Sequence, residues 1–311
     1  MSSGSSSPGD VPPASLTSPQ GAAAPIPPPD GLGANAIREL ARRHGLRPTK
    51  ALGQNFLIDP NLARAIAADA GVAGGDRVIE VGAGFGSLTL ALAATGAEVV
   101  AIEFDRGLVA ALREVVAPLD RVSVIDADVM RLDWGATLPG GGTWVLCANL
   151  PYNIATPLLL DVLADVPAIS RALVMVQREV GERLAASPGD DGYGAVSVRV
   201  AARARASIVR KVPPSVFWPR PAVASVVVRI ERLASPPVDP DDPTLWRVVD
   251  AGFAERRKTM RNALRRLGVP IADADDVLLA HGLSPNLRAE ELGLDAFAAI
   301  AADLGPRERS V

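Results

Sequence analysis

Read for the spacing of apolar and polar positions alone, the first thirty or so residues show neither a helical nor a strand period. From Asn35 the run NAIRELARRH places apolar residues at helical spacing, and the loop GLRPTKALGQNFLID follows. Asp59 and Pro60 predict the start of the next helix, NLARAIAADA. A carboxylate at the N-cap accepts a free amide hydrogen, and proline at the first helical position has none to offer. The pair Gly74-Gly75 is expected to close that helix. RVIEV, EVVAIE, RVSVID, TWVLCA and ALVMVQ then read as buried strands, with SLTLALAAT and DRGLVAALREVVAPL as helices between them. Such alternation predicts an α/β fold whose largely parallel sheet is covered by helices. VSVRVAARARASIVRKV and VASVVVRIERL read as closing strands, the first half of the former being equally open to a helix because Ala and Arg are weak strand formers. Beyond the Pro- and Asp-rich run ASPPVDPDDP the pattern becomes helical in WRVVDAGFAERRKTMRNALRRLG, ADDVLLAHG and DAFAAIAADLG. The expected organisation is a disordered tail over 1–32, an α/β domain over 33–233, a linker over 234–243, a small helical domain over 244–303 and a flexible end over 304–311.

Composition narrows the function classes. A chain of 311 residues buries enough surface to fold without disulfides, and its single cysteine, Cys147, excludes an internal one. With His44 and His281 the only histidines, no Cys/His zinc site or thiolate-held iron–sulfur cluster can be assembled, and no metal is expected. No stretch reaches eighteen uninterrupted apolar residues, which argues against a membrane-spanning helix. The tail carries no Lys or Arg, which argues against a secretory signal or a transit peptide. A soluble, cytoplasmic, monomeric protein is the expectation. The formal charge of −3 gives no global sign of nucleic acid, but its distribution does. Arg199, Arg203, Arg205, Arg210, Lys211, Arg220, Arg229 and Arg232 face Glu231 alone within 199–232, a local net of +7. Arg256, Arg257, Lys258, Arg261, Arg265 and Arg266 face only Glu255 within 255–266, a net of +5. Either cluster alone would be ordinary solvated surface; both together fit a phosphate backbone. Arg256, Arg257 and Lys258 cannot share one helix face, so only some are expected to touch phosphate.

VIEVGAGFGSLTL sets Gly82, Gly84 and Gly86 between a strand and a helix, where missing side chains admit a close ligand. Ser87 interrupts the dinucleotide spacing and the lysine of a phosphate-binding loop is missing, so a nicotinamide dehydrogenase is disfavoured. Glu103 ends the next strand and Asp128 follows the third, both at the carboxyl edge where open α/β sheets bind ligands. Glu103 suits a ribose diol; Asp128 or its neighbouring backbone suits an adenine amine. Asp105 already supplies the cap of the following helix, which leaves Glu103 free for a ligand.

After TWVLCA the chain runs Asn149-Leu150-Pro151-Tyr152-Asn153-Ile154. The exocyclic amine of adenine is a poor nucleophile because its lone pair is delocalised into the ring. A catalyst gains by orienting its hydrogens with carbonyl acceptors and holding the ring on an aromatic face. The Asn149 amide oxygen, the Leu150 or Pro151 carbonyl, and the Tyr152 ring supply those groups without a metal or covalent nucleophile. Cys147, two residues earlier, reads as a small buried hydrophobe rather than a nucleophile.

Taken in order, GQNFL at 53–57, VIEVGAGFGSLT at 78–89, Glu103, Asp128, NLPYNI at 149–154, QREV at 177–180, VPPSVFWPRPAVASVVVR at 212–229 and RRKTMRN at 256–262 resemble the ribosomal RNA adenine N6-dimethyltransferase family, over about residues 33–302. The pattern is most similar to its bacterial small-subunit branch, because relatives acting on large-subunit (23S) RNA generally lack the RRKTMRN segment. The resemblance implies a class I S-adenosylmethionine-dependent methyltransferase fold, a Rossmann-like, mostly parallel seven-stranded sheet, followed by a small helical domain. It implies S-adenosyl-L-methionine as methyl donor, with Asn55, Leu57, Gly82, Gly84, Glu103, Asp128 and Asn149 about the cofactor. Asn149, Leu150, Pro151 and Tyr152 would meet the target adenine, with Phe217 on its other face. Arg220, Arg256, Arg257, Lys258 and Arg261 would meet RNA. The implied activity is N6,N6-dimethylation of two adjacent adenosines in the 3′-terminal hairpin loop of 16S ribosomal RNA, late in assembly of the small ribosomal subunit. A large-subunit RNA methyltransferase and an assembly factor acting mainly by binding are the alternatives.

Overall fold

The computed structural model of the chain describes residues 31–305 apart from 50–52, 139, 152–153 and 256. The tail over 1–30, the chain end over 306–311, and the expected site residues Tyr152 and Arg256 therefore lie outside the described residues. Leu32, counted with the tail from the sequence, is buried beneath the first helix.

Helix α1 (Ala34–Arg43) is followed by the two-residue strand β1 (Phe56–Leu57) and α2 (Pro60–Asp69). Asp59 caps α2 as expected, accepting from the amides of Asn61 and Leu62. The helix ends at Asp69, and the left-handed residue that turns the chain is Gly71, φ +61°, ahead of the glycine pair expected to close it. Next come β2 (Arg77–Val81), α3 (Ser87–Ala93), β3 (Glu98–Glu103), α4 (Arg106–Val116), β4 (Val122–Asp126), the short α5 (Trp134–Thr137) and β5 (Trp144–Asn149). The domain continues through α6 (Ala155–Asp165), β6 (Ile169–Gln177), α7 (Arg178–Ala185), α8 (Ala195–Ala201), β7 (Ala204–Val212), β8 (Phe217–Trp218) and β9 (Ser225–Arg232). The ambiguous segment thus divides, helix α8 first and strand β7 after it.

Seven strands form one sheet in the order β4-β3-β2-β5-β6-β9-β7, parallel from β4 to β6, with β9 antiparallel to both neighbours. Side chains of a strand alternate between faces, so each central strand feeds two cores. Ile79, Val81, Leu146, Ala148, Val174 and Val176 pack on one side with α6, α7 and α8. Val78, Val145, Cys147, Leu173 and Met175 pack on the other with α2 and α3. Each large apolar side chain buried this way contributes about 1.5–3 kcal/mol. That double burial is why RVIEV and TWVLCA read as nearly continuous apolar runs.

Helices α9 (Pro243–Phe253), α10 (Met260–Arg266), α11 (Ile271–Ala280) and α12 (Leu294–Leu304) gather about Leu245, Val248, Met260, Leu264, Leu278, Phe297 and Ile300. The stretch read as one helical run from Trp246 breaks between α9 and α10. Arg257 and Lys258 accordingly lie in the connecting turn rather than on a helix.

Much of the first basic cluster is structural. Arg232 donates from its guanidinium to the carbonyls of Val162, Leu163, Val166 and Ile169 at 2.8–3.1 Å, which satisfies the carboxyl end of α6 with a cation where the helix dipole favours one. Arg210 pairs with Asp69 at 2.8 Å, and Arg229 donates to the Asp69 carbonyl at 3.0 Å. Replacing Arg232 by Met keeps the stem but removes every donor. It is expected to lower the unfolding free energy by about 2–3 kcal/mol in urea denaturation. A loss below about 0.5 kcal/mol would mean that water serves those carbonyls equally well.

Candidate active site

Strand β2 has β3 on one side and β5 on the other, and the crossovers on its two sides leave in opposite directions. At such a reversal the loops beyond the strand ends part and leave a crevice. The crevice here is a cavity of about 190 Å³ bounded by Val81 at the end of β2 and Gly82 after it, Ile102 near the end of β3 with Phe104 and Asp105 after it, Ala127 to Val129 after β4, and Pro151 and Ile154 after β5. Gln54, from the loop before β1, closes one side.

Gly82 turns the chain at φ +71°, and a Cβ there would sit 3.6 Å from the Pro151 ring and 3.8 Å from the Asn149 carbonyl, so glycine keeps the two loops close without filling the gap. Gly84, in the same turn, donates its amide to Glu103 Oε2 at 2.8 Å. The other oxygen of Glu103 accepts from the amides of Phe104 and Asp105 at 2.9 and 3.0 Å. Glu103 as a whole is 8% exposed. Burial pushes its pKa up, and the three amides pull against that shift. A carboxylate has about four acceptor positions, which leaves one on Oε2 for a ligand hydroxyl. Asp128 lines the cavity with Oδ1 already accepting from the Met130 amide at 3.0 Å.

Asn149 is the last residue of β5 rather than lying beyond it. Its Nδ2 donates to the backbone carbonyl of Asn55 at 2.9 Å, and the Asn55 side chain in turn donates to the Gly53 carbonyl at 3.0 Å. That chain of bonds fixes the Asn149 amide plane, and among the described hydrogen bonds its Oδ1 is left as an unused acceptor. Among the following residues, the Pro151 carbonyl already accepts from the Ile154 amide at 3.2 Å, whereas none of the described hydrogen bonds uses the Leu150 carbonyl. The Leu150 side chain is buried in the core.

Two expected site residues have buried side chains. Leu57 is buried, and its carbonyl accepts from the Ser87 hydroxyl at 2.6 Å. Phe217, expected against the second face of an adenine, is 3% exposed because β8 pairs antiparallel with β1 and sets Phe217 opposite Leu57. Its ring packs in the core and presents no free face in this arrangement.

Three residues escaped the sequence reading. Phe104 is 60% exposed at the cavity rim, an aromatic directly after the acidic strand end, where FDRGL was read only for its cap. Gln54 accepts from the Thr49 amide at 2.8 Å and donates to Asp105 at 3.1 Å, tying the loop before β1 to the α4 cap. Glu80 is a 2% exposed carboxyl inside β2, opposite Cys147 and hydrogen-bonded by Thr89 at 2.5 Å. Burial raises its pKa to about 8, and Glu103 adds to the rise. An acid in an apolar strand was the available signal. Burial also pushes the Cys147 thiol up, away from nucleophilic use.

Of the expected RNA contacts, Arg220, Arg257 and Lys258 are exposed, as are Arg205, Lys211 and Arg265. Arg261 is instead paired with Asp275, and Arg266 with Glu255 at 3.0 Å. Among the described residues no group of His, Cys, Asp and Glu could hold a metal, and no helix is long and apolar enough to cross a membrane.

A family model described as ribosomal RNA adenine dimethylase matches residues 45–302. A ribosomal RNA small subunit methyltransferase A from Acidothermus cellulolyticus is 46% identical over 275 residues, covering 87% of this chain and 93% of the relative. One of the same name from Rhodococcus opacus is 46% identical over 282 residues, covering 87% and 94%. Among solved structures, a dimethyladenosine transferase from Plasmodium falciparum superposes with a TM-score of 0.67 at 22% identity, over 79% of this chain and 96% of that one. The 23S rRNA methyltransferase ErmE superposes at 0.64 and 24%, over 80% and 99%. These two likenesses carry the fold, the expected methyltransferase α/β sheet with a helical domain after it.

The Glu80 carboxyl gives a stability test. Its folded pKa lies above the ordinary carboxylate value of 4.5, so between about 4.5 and 8 the unfolded state has lost a proton that the folded state keeps. Stability contributed by the neutral acid is present below pH 4.5 and falls as pH rises through about 8. Glu80→Gln should therefore gain on the unsubstituted protein between pH 5 and pH 8 in paired urea titrations. Parallel curves would show that Glu80 is ionised in the fold.

Proposed function

This chain belongs to the ribosomal RNA adenine dimethylase family, and from that membership we propose that it dimethylates N6 of two adjacent adenosines in the 3′-terminal hairpin loop of 16S ribosomal RNA. It is a methyltransferase enzyme. The small-subunit assignment rests on relatives of 46% identity that span 87% of the chain, whereas the likeness to the 23S enzyme stands at 24% identity. Its place of work is the cytoplasm, on the small subunit or its late assembly intermediate.

The observation that carries the chemistry is the anchored amide of Asn149. With Nδ2 held by the Asn55 carbonyl, Oδ1 can only accept, and the Leu150 carbonyl beside it is a second acceptor. Two acceptors take the two hydrogens of an adenine amine and turn its nitrogen lone pair out of conjugation toward a donor. S-adenosylmethionine, when bound, supplies an electrophilic methyl group on a sulfonium. The cavity fits that molecule's nucleoside. Glu103 keeps one acceptor position for a ribose hydroxyl, and Asp128 stands where an adenine amine would donate. The exposed ring of Phe104 and the apolar Ile102 and Val129 give the base its faces. Gly82 leaves room between this pocket and Asn149. As positive charge grows on the adenine nitrogen, the two carbonyl dipoles stabilise it, and the methylated aminopurinium is acidic enough to release its proton to water. Tyr152 is proposed to hold the adenine ring.

RNA is met by exposed basic residues that carry no ion pair among the described residues, Arg205, Lys211 and Arg220 on the sheet domain and Arg257, Lys258 and Arg265 on the helical one. Paired Arg261 is not among the contacts on this reading.

Asn149→Ala is expected to abolish methyl transfer from labelled S-adenosylmethionine to unmodified small subunits, with RNA binding still measurable. Near-normal transfer would sink the assignment. Nucleoside analysis after side-by-side reactions with small and large subunits should find dimethyladenosine in the small subunit alone. Product confined to the large subunit would move the protein to the other branch. Joint replacement of Arg257, Lys258 and Arg265 by Ala should lower the slope of log binding constant against log salt by about 2–3, and an unchanged slope would remove that turn from the interface.

A further inference from the structure

The core of the helical domain does not close on its own residues. Val198, on α8 of the sheet domain, is 0% exposed inside it. The hydroxyl of Tyr193, just before α8, donates to the Leu292 carbonyl at 2.8 Å, and its ring stands edge-on to Phe253 of α9 with centroids 5.9 Å apart. Next to this plug the guanidinium of Arg199 lies 4.9 Å from the ring centroid of Trp246 in α9, and that of Arg203 lies 6.0 Å from it. Each of these arginines also carries a carboxylate from beyond the sheet domain. Arg199 pairs with Asp250 at 3.0 Å, and Arg203 with Asp241 at 2.5 Å. The indole Nε1 of Trp246 donates to the Pro240 carbonyl at 2.9 Å, which draws the connecting segment onto the same ring.

The two kinds of contact do different work. An apolar plug is held by a non-directional force, so it fixes α8 in its socket while tolerating rotation about it. Guanidinium groups set over an indole face and hydrogen-bonded to carboxylates are directional, and they remove that rotation. None of these residues lines the methyl-transfer cavity.

We propose that Trp246, gripped by Arg199 and Arg203, is a positioning residue that sets the angle between the basic turn at Arg257 and Lys258 and the methyl-transfer pocket. It thereby determines recognition of the folded ribosomal substrate and leaves the transfer step alone. The proposal rests on the function given above. A folded RNA is recognised by shape, through phosphates at fixed spacing, so two basic surfaces on separate domains act together only when their relative angle is held.

The test uses the full chain with Trp246→Ala and Trp246→Phe. In steady-state transfer to small subunits, Trp246→Ala is expected to raise the KM for the subunit about tenfold, with kcat within about twofold and S-adenosylmethionine affinity by calorimetry unchanged. Trp246→Phe keeps a ring face for both guanidinium groups and should recover most of that loss. A second readout needs no activity. Spin labels on Glu98→Cys and Asp276→Cys, with Cys147 buried and unlabelled, should give a narrow distance distribution in the parent protein and Trp246→Phe and a broadened one in Trp246→Ala. An unchanged KM, a fall in kcat alone, or an unbroadened distribution in Trp246→Ala would overturn the proposal. If the parent protein methylates neither subunit while the distances behave as described, the function fails and the joint stands.

Discussion

Everything chemical in this molecule follows from β2 being hydrogen-bonded on both sides within a sheet covered on both faces. Such a strand has no free edge and no free face, so its only exit to solvent is at its ends. Because the chain leaves β2 in one direction to reach β3 and returns from the other to reach β5, the loops at the carboxyl end diverge. The gap between them is lined by Gly82 and Asp128, with Glu103 bonded to the Gly84 amide of the same turn and Asn149 beside Gly82 at the end of β5. The rigidity needed to orient a weak nucleophile comes from the same source. Asn149 ends a strand whose neighbours fix its backbone, and its amide is pinned in turn by Asn55.

Electrostatics are used sparingly and locally. A chain of formal charge −3 carries two basic clusters, yet the fold occupies Arg199, Arg203, Arg210, Arg229, Arg232, Arg261 and Arg266 with carboxylates and carbonyls of its own. What remains outside is a smaller set placed on both domains. Exposed ion pairs contribute little stability individually, about 0–1 kcal/mol, so the value of these pairings lies in geometry. The contrast is clearest at Arg232, whose cation closes three carbonyls at the end of α6 and that of Ile169 at the start of β6.

The helical domain is best regarded as docked by its neighbour. Val198 completes its core and Trp246 is held by two arginines of the sheet domain, so the segment over 234–243, read from composition as a linker, is pinned through Pro240 and Asp241. Proline and aspartate marked the boundary; they said nothing about the contacts that close over it.

By itself the sequence determined the five parallel strands and the helices α1 to α4, the Asp59 and Asp105 caps, the glycine turn and the acids at or beyond strand ends, because each depends on the period or the chemistry of adjacent residues, whereas α6, α7 and the short strands β1 and β8 were not legible in it. It also carried the family, since eight ordered motifs leave little room for coincidence. Only the tertiary structure decided which way the Asn149 amide faces, that Phe217 is walled in by Leu57, that Phe104 and Gln54 border the cavity, and which arginines stay free for RNA. Those outcomes turn on partners dozens of residues away: Asn149 and Asn55 are 94 residues apart, and Arg210 and Asp69 are 141. A local pattern records what a residue offers, and only the packed chain settles which distant group takes the offer.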